Sequence, residues 1–411
     1  MPDTPVPQHC PTPRELDDLE LLSHGVLALD GFQGPEGPVT LQVPPPVADA
    51  ALTAGAVELV DPEGLPLARV AVTRTYAAGG LVGIEGPVTP LAHAEFGPFR
   101  RLHLSPGEVR QRYDERTVTV PVAGPLTIDD LEQIRKHAEG RRVLLLALAG
   151  TGTSELSTPA LLRATVRAAG LLEDVGVVAV PLASRGDVTE DHALGRMVVD
   201  AYAPGEVLGV TGEGDLPEAV AEVVERDRPG PGAQGLVVFF TGLSGSGKST
   251  LARALHDVIL ESGERTVTSL DGDLVRRNLS QGLTFSTADR ETNIRRIGWV
   301  AAEISRHGGT AICSPIAPFA GTRAEVRAMV DRVGGAFVLV HVATPLAECE
   351  RRDRKGLYEK ARRGEIPEFT GISSPYEEPD DAEVRVDTTG RTIEDALDDV
   401  LGHLRGEGYL R

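Results

Sequence analysis

The stretch LVVFFTGLSGSGKSTLARALHDVILES, from Leu236 to Ser262, decides the fold of the second half of this chain. Its opening, LVVFFTG, is a run of β-branched and aromatic residues of the kind that forms a buried strand. From Lys248 onward the apolar residues recur at helical spacing. Between the two lies Gly-x4-Gly-Lys-Ser, made by Gly242, Gly247, Lys248 and Ser249. Glycines at such a turn let backbone N–H groups face inward around phosphate oxygens, and the helix N-terminus adds a favourable dipole. The expected cradle runs through Gly242, Leu243, Ser244, Gly245, Ser246, Gly247, Lys248, Ser249 and Thr250. Lys248 would neutralise the β- and γ-phosphates, and the Ser249 hydroxyl can ligate Mg²⁺. The pattern specifies a nucleotide phosphate but not the destination of the phosphoryl group.

After this loop the chain continues to alternate. The run TVTSLDGD reads as a strand ending in carboxylates, followed by a helical RETNIRRIGWVAAEISRHG, a strand GTAICSP, a helix TRAEVRAMVDRV and a strand AFVLVHVA. An Arg-rich polar segment, a strand EVRVDT and a helix TIEDALDDVLGHL complete it. Alternating β and α units imply an α/β domain, a parallel sheet with helices on both faces. The segment ERDRPGPGAQG, Glu225 to Gly235, is charged and then rich in Pro and Gly, which marks a domain boundary. Before it the reading changes. Up to about Pro121, short runs such as VTLQV, AVELV, ARVAV and TVTVPV are separated by Gly and Pro and suggest a β-rich domain. From LTIDDLEQIRKHAEG to about Glu225 the pattern returns to βα. The expected organisation is therefore residues 1–121, 122–228, a linker at 229–234, and 235–411.

The 411 residues exceed what one core usually organises, and the composition, 41% hydrophobic and 25% charged, is that of globular protein. A net charge of −20 argues against binding nucleic acid or an anionic membrane, although a locally basic site can still take a small anion. Three scattered cysteines, Cys10, Cys313 and Cys349, show no metal-knuckle spacing and fit a reducing, cytoplasmic compartment. The start MPDTPVPQHCPTPRELDD lacks a basic-then-apolar signal, and the most apolar run, VLLLALAG, is short of the ~20 residues a span requires.

Two further clusters carry chemistry. Asp271 and Asp273 end the second strand at the sheet edge where open α/β folds bind ligands. One carboxylate can hold metal-bound water while the other accepts a proton; helix capping is the plainer alternative. In FSTADRETNIRRI, Arg290 and Asn293 are three apart and share a helix face. Arg295 and Arg296 add positive charge, or form a solvated face.

Taken in order, GLSGSGKST, LDGDLVRRNL, FSTADRETNIRRI, ICSPIAPFAGTR and RDRKGLYEKARRGEIPEFTGISSPYEEP resemble adenylyl-sulfate kinase over essentially all of Gln234 to Arg411. The resemblance implies a P-loop kinase in which ATP with Mg²⁺ phosphorylates the ribose 3′-hydroxyl of adenylyl sulfate, giving 3′-phosphoadenylyl sulfate and ADP. Asp273 matches the carboxylate that receives the hydroxyl proton, and Asp271 its neighbour near the metal. Arg276, Arg290 and Asn293 match groups that hold the phosphosulfate and ribose, while Phe285 and Phe369 match aromatics that sandwich the adenine. Stacking and guanidinium forks suit such a ligand. Ser314 matches a serine that the family pattern marks as a phosphorylated intermediate. In-line transfer needs only positioning and charge neutralisation, so a hydrogen bond near the substrate is its expected part in a catalytic set with Lys248 and Asp273. Many members read Ser-Pro-Tyr-Arg where this chain has Ser314-Pro315-Ile316-Ala317, with an arginine at 323. Lys355, Gly356, Leu357 and Tyr358 match the core of a lid that would close over two anionic ligands. Ile316, Lys355 and Leu357 complete the expected substrate contacts.

The opening DDLELLSHGVLALDGFQG looks like the start of the N-terminal domain of ATP sulfurylase, and VGVVAVPLASRGDV with HALGRMVVDAY loosely fits that enzyme's next domain. This resemblance implies a β-rich, PUA-like domain and a small α/β domain. The family's Gln-x-Arg-Asn-Pro-x-His-x-x-His is replaced by LAGTGTSELSTPALL, without the arginine or the histidines, and SRGD at Ser184 to Asp187 is no substitute for its second motif. A sulfurylase-like region without catalysis is expected, used for scaffolding, oligomerisation or regulation. A homo-oligomer and a separate active sulfurylase are the expected partners. Two alternatives stay open: a kinase for another small alcohol, and a non-catalytic regulatory domain that binds 3′-phosphoadenylyl sulfate. The latter is expected to lose Lys248 or the Asp271–Asp273 pair, which this chain keeps.

Overall fold

Leu236–Thr241 lies at the centre of a five-stranded, all-parallel sheet in the computed structural model of the protein. The structure describes residues 5–27, 29–92, 97–284 and 286–411, apart from the side chains of Asp273 and Leu274. The chain divides into two units, Met1–Asp227 and Arg228–Arg411. Among the described residues no helix is long and apolar enough to cross a membrane.

In the second unit the sheet runs Val267–Leu270, Thr310–Cys313, Leu236–Thr241, Ala336–Val342, Val384–Val386. The central strand is buried throughout, and its alternate residues serve opposite faces. Leu236, Val238 and Phe240 pack on Leu255 and Ile259 of helix Lys248–Ser262 and on Val400 and Leu404 of helix Ile393–Gly406. Val237 and Phe239 face Ile297 and Ala301 of helix Thr287–Arg306 and Val326 of helix Ala320–Asp331. Both faces are thus covered, as the unbroken apolar run requires. The last two helices approach closely, because a Cβ on Gly298 would lie 2.5 Å from Val326 Cγ2.

The first unit contains two sheets. Antiparallel pairing centres on Leu81–Pro90, which bonds to Pro66–Ala71, Gly31–Phe32, Leu41–Val43 and Arg74–Ala78. A parallel sheet of Val175–Val180, Val143–Leu148 and Val118–Val122 follows. The run TVTVPV, whose alternation suggests a member of the β-rich part, is instead the edge of this parallel sheet. Thr119 is fully buried rather than solvent-facing, so polarity misled the alternation, and an edge position tolerates Pro121, which has no N–H. One buried cluster joins Leu21, Val57 and Ile84 to Leu146, Val178 and Tyr202, so the β-rich and α/β parts of this unit share a core.

Candidate functional site

The phosphate-loop residues lie between the central strand and helix Lys248–Ser262, with positive φ at Gly242 (146°), Gly245 (74°) and Gly247 (106°). A side chain at Gly242 would also meet Val342 O at 2.5 Å, so only glycine fits there. Three of the loop's carbonyls are satisfied from within the unit. Leu243 O accepts from Lys248 Nζ at 2.7 Å, and Ser244 O accepts from the Tyr358 hydroxyl at 2.8 Å. Ser246 O accepts from both Thr344 Oγ1 and Thr388 Oγ1, each at 2.9 Å. Among the described residues nothing accepts from the N–H groups of Gly245, Gly247, Lys248 or Ser249. Unpaired N–H groups at a helix start, with neighbouring carbonyls already bonded, make an anion-binding nest. Lys248 is buried, and burial pushes its ammonium pKa down to about 8. Ser249 and Thr250 are exposed at the first helical turn.

Asp271 follows strand Val267–Leu270 at the same sheet edge, and its Oδ2 lies 3.5 Å from the buried Ser314 Oγ, which donates to it. Asp273 lies in helix Gly272–Asn278 with its side chain outside the described atoms, and Phe285 is outside the described residues. Arg276, in that helix, donates to Thr284 O at 3.5 Å. Among the described residues no group of three or more His, Cys, Asp or Glu could hold a metal ion. Ser249 and Asp271 offer hard oxygen donors only. That set suits Mg²⁺, which is held by one or two carboxylates plus substrate phosphates rather than by a protein cage.

Arg290 and Asn293 share one face of helix Thr287–Arg306. Arg290 donates to Thr370 Oγ1 at 2.9 Å, Thr287 Oγ1 at 3.2 Å and Ser374 Oγ at 3.4 Å, and lies 3.7 Å from Glu368. Its Nε is nevertheless buried without a partner, and so is Asn293 Oδ1. A donor and an acceptor left unpaired on one helix cost free energy unless a polar ligand satisfies them. Phe369 precedes Thr370, and its ring meets Tyr358 edge-on at 5.1 Å between centroids. Tyr358 in turn is the residue bonded to Ser244 O, so the structure links the phosphate loop, the lid sequence, Phe369 and Arg290 in one chain of contacts. Leu357 opens the lid helix Leu357–Arg362, and its N–H donates to Asp353 at 2.8 Å, while Lys355 is exposed just before it.

Ile316 contributes through its backbone: its carbonyl accepts from Thr241 Oγ1 at 2.6 Å and from Gly242 N at 3.4 Å. Arg295 pairs with Glu325 at 2.6 Å and Arg296 donates to Leu279 O at 2.8 Å, so both serve the unit's own structure. Cys313 and Cys349 are buried, and burial raises both thiols, which leaves them as small apolar residues. Thr344, Thr370, Ser374 and Thr388 escape the reading of the sequence. Their one signal is position, since Thr344 and Thr388 each follow a parallel strand at the sheet edge that holds the loop.

Comparison with known proteins places this geometry. Residues 234–387 match the family model described as adenylylsulphate kinase. The hexameric APS kinase from Thiobacillus denitrificans is similar over the whole chain, at 27% identity and a TM-score of 0.77, covering 100% of this chain and 95% of that one. The APS kinase CysC of Mycobacterium tuberculosis, solved with AMPPNP and APS, is 43% identical over 42% of this chain and 98% of its own, with a TM-score of 0.40. A sulfate adenylyltransferase of Aspergillus terreus is 44% identical over 194 residues, 47% of this chain and 34% of that protein. The chain spans about a third of the length of the curated relatives it matches.

Proposed function

We propose, because the chain belongs to the adenylylsulphate kinase family through residues 234–387, that it transfers the γ-phosphoryl group of ATP to the ribose 3′-hydroxyl of adenylyl sulfate. The products are 3′-phosphoadenylyl sulfate and ADP. The observation that carries this reading is the presence in one unit of a phosphate loop with unpaired N–H groups and of the orphaned Arg290 Nε and Asn293 Oδ1. The first suits a triphosphate; the second suits an acceptor bearing both anionic and hydroxyl groups.

In the transfer the acceptor oxygen bonds to the γ-phosphorus while the bond to the β,γ-bridging oxygen breaks. Lys248 gives up its bond to Leu243 O and neutralises the β- and γ-phosphates, while the loop's N–H groups hold the remaining oxygens. Asp273 takes the hydroxyl proton, an assignment resting on its place in the run LDGD. Ser314 orients Asp271 and the acceptor through its hydroxyl. Mg²⁺ would be held by Ser249 and Asp271 and would supply charge neutralisation for the phosphate oxygens. Arg276, Arg290 and Asn293 bind the phosphosulfate and ribose; Phe285 and Phe369 stack on the adenine; Ile316, Lys355 and Leu357 complete the acceptor pocket. The lid, anchored by Tyr358, excludes water that would otherwise take the phosphoryl group.

We read the first unit as sulfurylase-like, with a PUA-like β-rich part, and non-catalytic. Its loop Gly150-Thr151-Gly152 and its Ser184–Asp187 turn follow adjacent parallel strands, where a ligand would sit. Carboxylates of helix Pro13–Ser23 meet both loops. Asp17 accepts from Thr151 N at 2.7 Å and Oγ1 at 2.6 Å, and fully buried Asp18 pairs with both Nη atoms of Arg185. The groups that could receive an anion are thus already neutralised from within.

The experiment is ADP release by the full chain with ATP, Mg²⁺ and adenylyl sulfate, against adenosine and other small alcohols as acceptors. Adenylyl sulfate should be far the fastest; comparable rates on another alcohol would replace this reading with that of a different kinase. Sulfate and ATP alone should release no pyrophosphate above background, and steady release would show the first unit to be an active sulfurylase.

A further inference from the structure

On the kinase reading, residues 314–318 lie on the acceptor side of the site, and Arg323, outside that loop, bonds into it. Ala317 has φ of 45°, a left-handed conformation that disfavours any residue with a Cβ, and it is buried. Arg323, in the first turn of helix Ala320–Asp331, donates from Nη1 to Ala317 O and from Nη2 to Glu377 O, both at 2.9 Å. Glu377 N donates to Pro318 O at 2.9 Å, and Glu377 Oε2 accepts from Ala320 N at 2.6 Å, so the same segment closes the loop's far end. On the near side, Thr241 Oγ1 lies 2.6 Å from Ile316 O, 3.2 Å from Ala317 O and 3.1 Å from the Tyr376 hydroxyl, so Ala317 O is shared between Thr241 and Arg323.

Arg323 is only 3% exposed, and among the described residues its guanidinium bonds to main-chain carbonyls and makes no ion pair. Its Nε is buried and unpaired. A charge buried against neutral carbonyls alone is expensive to retain. Its field reaches the neighbouring Tyr376 and His341, where it opposes positive charge and favours negative. Two functions account for such an arrangement together: fixing a strained loop by spanning two carbonyls, and placing an uncompensated positive charge behind a loop that faces an anion.

We propose that Arg323 is a positioning residue for the acceptor, holding residues 314–318 in the form that presents Ser314 and Ile316 and lending the site positive potential. This rests on the kinase reading above. It also supplies a physical account of the Ile316-Ala317 sequence. With no side-chain donor at position 317, the loop is held from the helix that follows it.

The test measures KM and calorimetric Kd of the full chain separately for adenylyl sulfate and for ATP or AMPPNP, in wild type, Arg323→Met and Arg323→Lys. Arg323→Met should raise both constants for adenylyl sulfate about tenfold or more, since it removes the group that ties Ala317 O to Glu377 O across the loop, and change those for the nucleotide by less than about twofold. Arg323→Lys keeps the charge but cannot span both carbonyls, so it should recover only part of the loss. Equal weakening of both substrates, or a lowered Tm with unchanged constants, would overturn the proposal by showing a purely structural arginine. If Arg323→Met does not fold, Arg323→Lys decides alone: unchanged acceptor constants overturn the proposal. A wild-type chain that does not bind adenylyl sulfate overturns this and the kinase reading together, whereas binding that is insensitive to position 323 overturns this alone.

Discussion

Lys248 shows how far one side chain is tuned before any ligand arrives. Burial holds its pKa down to about 8, with the ammonium resting on Leu243 O. A triphosphate favours the charged form, so above that value binding must take up a proton. ATP affinity should therefore be level below about pH 8 and fall by up to about tenfold per pH unit above it, measured by calorimetry. A level profile through about pH 10 would mean that Lys248 does not touch phosphate. Asn293 offers the complementary case on the acceptor side. Because its Oδ1 is unpaired in the free protein, Asn293→Leu should leave Tm unchanged or raised while KM for adenylyl sulfate rises about tenfold to a hundredfold. The sequence singles out both as candidates: Lys248 because a strand, glycines and a helix surround it, Asn293 because it lies three residues from Arg290. Arg323 was visible only as an unplaced arginine, since a contact six residues back to a backbone carbonyl leaves no pattern.

At the scale of elements, helix Leu357–Arg362 and the phosphate loop are joined. Tyr358 donates to Ser244 O, and Thr344 and Thr388 grip Ser246 O, while Arg352 donates to Thr388 Oγ1 and Thr388 O at 2.8 and 3.0 Å. Tyr358→Phe removes one of these bonds without changing shape, so KM for ATP should rise about threefold to tenfold in steady-state assays. No change would mean that the lid helix does not help to shape the loop. The central strand makes a different prediction, because Phe239 is fully buried against Phe337 with rings 5.6 Å apart. Phe239→Ala should cost about 3–5 kcal/mol of unfolding free energy in denaturant titration. Buried strands with β-branched residues were read correctly from periodicity. TVTVPV was assigned to the wrong sheet, because buried threonine looks polar in sequence and pairing partners of a parallel strand lie too far along the chain to infer. The threonines that grip the loop carry no signature of their own.

For the whole molecule, the two units have separate buried clusters, with none of the clustered residues shared between them. The match to the adenylylsulphate kinase family lies in the second unit. Calorimetric unfolding of the full chain should resolve two transitions, of which ATP with Mg²⁺ raises only one, by about 2.7 kcal/mol at a hundred times its Kd. A single transition raised as one would show that the units unfold together. The sequence disclosed the order and chemistry of the second unit because its motifs are contiguous. It disclosed less of the first, where Asp17 and Asp18 reach Thr151 and Arg185 across more than a hundred residues. The most direct measurement of the central claim is the position of the new phosphate. The full chain is incubated with ATP, Mg²⁺ and adenylyl sulfate, and the nucleotide product is read by phosphorus NMR coupled to the ribose protons. A phosphomonoester coupled to the 3′ proton, formed in step with ADP, is the predicted result; ADP without that product, or phosphate on any other oxygen, would contradict it.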